Sequence, residues 1–127
     1  MNIQLETHDK HTLNAYIAGP EDATRGIVVI QEIFGVNHHM RHVTDQFAAL
    51  GYRAICPALF DRAEAGVELG YDQSGIQRGL ALRNRIPAEQ TLMDIEAAAQ
   101  AVTSARLPGV VGYCWGGTMA WMAACHS

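Results

Sequence analysis

The chain predicts an α/β fold built on a mostly parallel sheet, and three observations predict it. Residues 26–30 and 110–113 are apolar runs without polar alternation, the pattern of strands buried on both faces. Helical patterns separate the strands along most of the chain, which is the arrangement of right-handed crossovers. The composition, 49% hydrophobic and 17% charged over 127 residues, supports one domain with a real core and excludes a disordered tail. A single domain over 1–127 is therefore expected.

The elements follow in order. Residues 3–5 alternate weakly and read as a strand. His8, Asp9 and Lys10 are turn-like, and 13–18 reads as a second strand, so the chain starts as a hairpin. Gly19, Pro20, Glu21 and Asp22 form a loop. The buried strand 26–30 leads through a loop at 31–37 into a helix over 38–50, stopped by Gly51. A short strand over 52–56 closes at Pro57. Residues 58–74 are mixed and glycine-containing, a long excursion across the end of the sheet. A helix is expected over 75–85. Pro87 suits a first helical position, and 88–105 reads as a long alanine-rich helix. Pro108 and Gly109 break it, 110–113 is the last strand and 115–125 the last helix.

Charge narrows the function classes. Thirteen acids against nine bases leave a net charge of −4, and Lys10 is the single lysine. No polybasic patch exists for nucleic acid or an anionic membrane. No apolar run approaches the roughly 18 residues of a membrane span, and no signal peptide is evident. Three cysteines without a framework fit a reducing, cytoplasmic setting.

Ligand chemistry in open α/β sheets gathers beyond the carboxyl ends of the strands. Two segments end there with unusual residues. The first is Gln31-Glu32-Ile33-Phe34-Gly35. The second, Gly112-Tyr113-Cys114-Trp115-Gly116, is a G-x-C-x-G sequence between a buried strand and a helix, the cysteine form of a nucleophile elbow. A strand that turns sharply into a helix with a nucleophile at the apex has no room for side chains two positions away, so glycine stands there. Cys114 would lie just before a helix N-terminus, whose free N–H groups and dipole favour a thiolate. The same groups can hold an oxyanion, with the Trp115 N–H the natural first donor. Cys56 and Cys125 read as small buried apolar residues. Glu32, flanked by Ile33 and Phe34, is expected to be partly desolvated and able to accept a proton from a thiol. His38 and His42 share a helix face beside His39, but no carboxylate or cysteine stands at ligand spacing. That pattern fits a polar helix face or pocket rim, and no metal is expected.

The two motifs, with Gly51-Tyr52 and Cys56-Pro57 between them, make the chain resemble the dienelactone hydrolase (carboxymethylenebutenolidase) family, a branch of the α/β-hydrolase fold. The resemblance covers nearly all 127 residues. It implies a three-layer α/β sandwich and hydrolysis of an ester or lactone, classically a dienelactone opened to maleylacetate, without a metal or organic cofactor. It implies a small-molecule ester or lactone as partner. Cys114 then corresponds to the nucleophile and Glu32 to the glutamate that helps activate it. The Ile33 and Trp115 N–H groups correspond to the oxyanion hole. One substrate-binding arginine falls in the stretch that holds Arg78 and Arg83.

Such a nucleophile needs a histidine and an orienting acid, which in this fold follow it. Ser127 comes thirteen positions after Cys114 with no aspartate between, and a regular last helix carries His126 roughly 18 Å from the elbow. The chain therefore reads as the N-terminal half of a larger enzyme, truncated after the nucleophile helix. By itself it is expected to be marginally stable, with an exposed apolar strand edge, and to lack efficient triad catalysis. The alternative reading is a truncated, non-catalytic α/β-hydrolase fragment with a binding or structural role. A redox role is weaker, because Cys114 has no C-x-x-C partner.

Overall fold

The computed structural model describes residues 1–103, 107–112 and 115–126. Strands β1 (Asn2–Glu6) and β2 (Thr12–Ala18) form an antiparallel hairpin with Leu5 opposite Leu13. In its turn Lys10 adopts φ 64°, and the Thr7 N–H donates to the His11 carbonyl at 2.9 Å. β2 alternates: Leu13, Ala15 and Ile17 are buried, and the residues between them are exposed or, like Tyr16, partly covered on the other face.

β3 (Gly26–Ile30) is buried at every position. It leads into helix α1 (His38–Ala49) and then β4 (Arg53–Pro57). A 3₁₀ turn at Leu59–Arg62 opens the excursion, followed by helix α2 (Gln73–Asn84) and helix α3 (Ala88–Val102). β5 (Gly109–Gly112) and helix α4 (Trp115–His126) complete the described chain. No helix among the described residues is long and apolar enough to cross a membrane.

The described strands form one sheet in the order β1-β2-β4-β3-β5. β4 lies antiparallel to β2, whereas β3 lies parallel to both β4 and β5. The path through α1 places β4 on one side of β3. The path through α2 and α3 crosses back and places β5 on the other. The strand order therefore reverses between β3 and β5, and the crevice above that reversal is where such sheets take ligands.

Helices cover both faces. Val28, Ile30 and Ile55 pack with Ile95, Ala98 and Val102 of α3 and Met119 of α4. Their neighbours Val29 and Cys56 turn to the opposite face, against Met40 and Val43 of α1. The period of two along β3 and β4 thus divides one apolar run between two cores. A third cluster of Phe60, Val67 and Leu82, backed by Ile33 and Ile86, holds the excursion and α2 against the loop that follows β3. Each large side chain buried in these clusters contributes about 1.5–3 kcal/mol relative to exposure.

Several boundaries differ from those read in the sequence. α2 starts at Gln73, two residues earlier, because Asp72 caps it: its side chain accepts the Gly75 N–H at 2.7 Å. Pro87 is the N-cap of α3 at ψ 145°, one step outside the helix rather than its first residue. α3 ends at Val102, where Thr103 turns extended at ψ 133°; positions 104 and 105 of the expected helix lie outside the described residues. The 3₁₀ turn has no apolar periodicity to announce it. It forms because Leu59 and Phe60 bury their side chains and the Leu59 N–H finds a buried acceptor, the Gln31 side chain.

Candidate active site

β3 ends at Ile30, and the segment after it turns at once. The Gly35 N–H donates to the Glu32 carbonyl at 3.3 Å, closing a turn over Glu32, Ile33, Phe34 and Gly35. Gly35 has φ +84°, and a Cβ there would run into the Val67 carbonyl. Only glycine meets both demands. The excursion then pairs with this turn: Gly35 bridges Glu68, and the Leu69 N–H donates to the Phe34 carbonyl at 2.9 Å.

Polar contacts fix the rest of the loop. Asn37 caps α1 by accepting the Met40 N–H at 3.0 Å, and its amide donates to the Tyr71 hydroxyl at 3.0 Å. Tyr71 packs edge-on against Phe34, with ring centroids 4.5 Å apart. Arg41 donates to the Val36 carbonyl at 2.8 Å and to Glu68 at 3.1 Å. α2 docks through Gly79, where a Cβ would strike the Ile33 carbonyl.

Glu32 and Ile33 therefore sit half-buried at the carboxyl end of the central strand. The Ile33 N–H finds no acceptor among the described residues. The neighbouring parallel strand is in register with Ile30 opposite Gly112. Neighbouring strands lie about 4.8 Å apart, so β3 and β5 end side by side. Cys114, two positions beyond Gly112, lies outside the described residues. Trp115 is the first residue of α4. α4 runs unbroken to His126, which carries that backbone about 16 Å from Trp115 at about 1.5 Å per residue.

Arg78 and Arg83 both lie on α2. Arg78 is half-exposed and ion-paired with Glu64. Among the described residues the Arg83 side chain donates to its neighbour Asn84, at 3.5 Å. It stands four residues beyond Gly79, on the face of α2 that meets Ile33. His38, His39 and His42 are exposed along α1. Cys56 is fully buried on the α1 face, and burial pushes its thiol up to about 12. It is inert at neutral pH.

Sequence reasoning assigned no role to Gln31 or Gly79. Gln31 is fully buried, accepts the Leu59 N–H at 2.8 Å and donates to the Glu32 carbonyl at 3.1 Å. The readable signal was an uncharged polar residue set directly after five buried apolar ones. Gly79 carried no signal beyond being a glycine inside a helix.

A mixed sheet whose parallel part, β4-β3-β5, reverses its order between β3 and β5, covered by α1 on one face and by α3 and α4 on the other, defines an α/β-hydrolase-type fold. Within that class the chain belongs to the dienelactone hydrolase family, whose sequence profile matches residues 13–127. It is similar to the carboxymethylenebutenolidase of Pseudomonas putida, 34% identical over 129 residues, with 96% of this chain and 54% of that protein covered. A "Putative carboxymethylenebutenolidase" of Synechocystis sp. is 40% identical over 103 residues, with 77% of this chain and 42% of that protein covered. The crystal structure of a "Putative Dienelactone Hydrolase" from Klebsiella pneumoniae superposes with a TM-score of 0.80 at 29% identity, over all of this chain and 55% of that one. The chain thus spans about half the length of the relatives it matches.

Proposed function

We propose that the protein acts in the hydrolysis of a carboxylic ester or lactone of the dienelactone type, with Cys114 as nucleophile. The observation that carries this reading is the parallel register of Ile30 with Gly112. The glutamate-bearing loop follows β3 in the sequence and the G-x-C-x-G segment starts at the last residue of β5, beside the point where the strand order reverses.

The chemistry follows from the residue types. Cys114 gives its proton to Glu32, and the sulfur attacks the carbonyl carbon. The carbonyl electron pair moves onto oxygen, where the Ile33 and Trp115 N–H groups stabilise it. Collapse breaks the carbon–oxygen bond of the ester, and the departing oxygen takes the proton held by Glu32. Water then gives a proton to Glu32 and attacks the thioester, the carbon–sulfur bond breaks, the acid leaves and the sulfur takes that proton back to restore the thiol. A histidine and its orienting acid would assist both proton transfers. His126 is not assigned that role, because the length of α4 separates it from the elbow. Of the two arginines, Arg83 is the better placed to meet an anionic group of the substrate. Arg78 is already paired with Glu64.

Thiol alkylation tests the proposal. Iodoacetamide near neutral pH is expected to modify Cys114 selectively, and Cys114→Ala to abolish hydrolysis of an activated ester. Slow, equal labelling of all three thiols would instead favour a binding or structural role.

A further inference from the structure

We propose that Gln31 is a positioning residue that aims the Ile33 N–H at the reacting oxygen. The inference rests on the reading of Ile33 as an oxyanion donor given above. It begins with the geometry of one peptide. The Glu32–Ile33 unit is planar, so its C=O and N–H point in opposite directions. Whatever holds the Glu32 carbonyl therefore fixes the direction of the Ile33 N–H.

Two donors hold that carbonyl, the Gln31 amide at 3.1 Å and the Gly35 N–H at 3.3 Å. The Gln31 amide cannot turn over. Its oxygen accepts the Leu59 N–H at 2.8 Å, so its nitrogen must face the Glu32 carbonyl. The side chain has no solvent exposure, and leaving either end unpaired costs a buried polar group its partner. The next peptide is fixed as well, because Gly79 packs against the Ile33 carbonyl too closely for any side chain. Both peptides that flank the Ile33 Cα are thus held by groups outside the site. The N–H between them has no acceptor among the described residues. A donor fixed before the substrate arrives needs no reorganisation during the reaction, which is the source of its catalytic worth.

The test uses two substitutions in the full-length protein with p-nitrophenyl acetate as substrate. Gln31→Glu keeps the acceptor for Leu59 but sets an oxygen against the Glu32 carbonyl. Gln31→Met removes both bonds at similar length. Removing an oxyanion donor outright costs about 10²–10³ in kcat, and a misaimed one less. Both variants are therefore expected to lose about 10- to 100-fold in kcat, with KM within about twofold. Alkylation of Cys114 by iodoacetamide forms no oxyanion, so its rate in Gln31→Met should stay within about twofold of the parent. A kcat preserved in both variants would overturn the proposal, as would a kcat loss matched by an equal loss of alkylation rate in Gln31→Met. Should Gln31→Met fail to fold, Gln31→Glu alone decides through its kcat and KM. Cys114→Ala separates the two levels. If that variant still hydrolyses the ester, the underlying reading falls; if it is inactive while the Gln31 variants keep full kcat, only the present inference falls.

Discussion

Position 35 shows how much a single residue carries. The backbone there is left-handed, and the space a Cβ needs is taken by the Val67 carbonyl. Gly35→Ala is expected to destabilise the protein by about 2–4 kcal/mol, since it combines a strained φ with a backbone collision. Urea unfolding of parent and variant would measure this, and a loss below about 0.5 kcal/mol would contradict it. The importance of this stretch was legible, because a glutamate and a glycine stand beside an apolar strand end. The function of Gln31 was not. Its two partners, Leu59 and Glu32, are one distant and one adjacent, and no periodicity in the chain announces a bond across 28 positions.

Between elements, a charged network does what apolar packing does elsewhere. Arg62 of the 3₁₀ turn reaches Asp94 of α3 at 2.9 Å and Asp9 of the hairpin turn at 2.8 Å. Asp94 has no side-chain exposure and Arg62 very little. Burial pushes the Asp94 carboxyl up against the pull of Arg62, whereas the Arg62 guanidinium beside Asp9 holds that carboxyl well below its ordinary 3.8. Arg62→Met leaves Asp94 buried without its cation and is expected to cost about 3–5 kcal/mol at pH 7. The sign of its pH dependence follows. Asp9 stabilises the parent above pH 3.8, and that contribution is lost as pH falls through its depressed value. In the variant the Asp94 carboxyl rises further, so acid neutralises the orphaned charge. The difference between parent and variant should therefore shrink as pH drops from 7 toward 4. Urea titrations across that range would check it, and a constant or growing difference would count against the network. In the sequence Asp94 reads as one polar position on an alanine-rich helix. Its burial depends on Arg62, which reaches it from the far side of the excursion.

For the whole molecule, β3 is central to the described sheet and β5 is one of its edges. Val28, Val29 and Ile30 have no exposure, whereas Val110 and Val111 of β5 are only partly covered. Among the described residues β5 pairs with β3 alone. Leu107, two positions before β5, is 87% exposed, and Trp121 of α4 is 73% exposed. Unpaired edges and apolar patches of this kind drive association between chains. The protein is expected to self-associate with rising concentration, and Val110→Lys to reduce that association. Sedimentation velocity over a concentration series would test this, and a monomer unaffected by concentration would oppose it.

The sequence by itself determined the order of the elements, the doubly buried central strand and the family motifs. Each of these rests on local pattern: an apolar run, a helical period, a glycine spacing. Tertiary structure alone decided that β4 and β5 flank β3 on opposite sides, that α2 docks on Ile33 through Gly79, and that Gln31 holds the Glu32 carbonyl. Those facts depend on groups far apart in the chain, whose hydrogen bonds and close approaches exist only once the layers have packed.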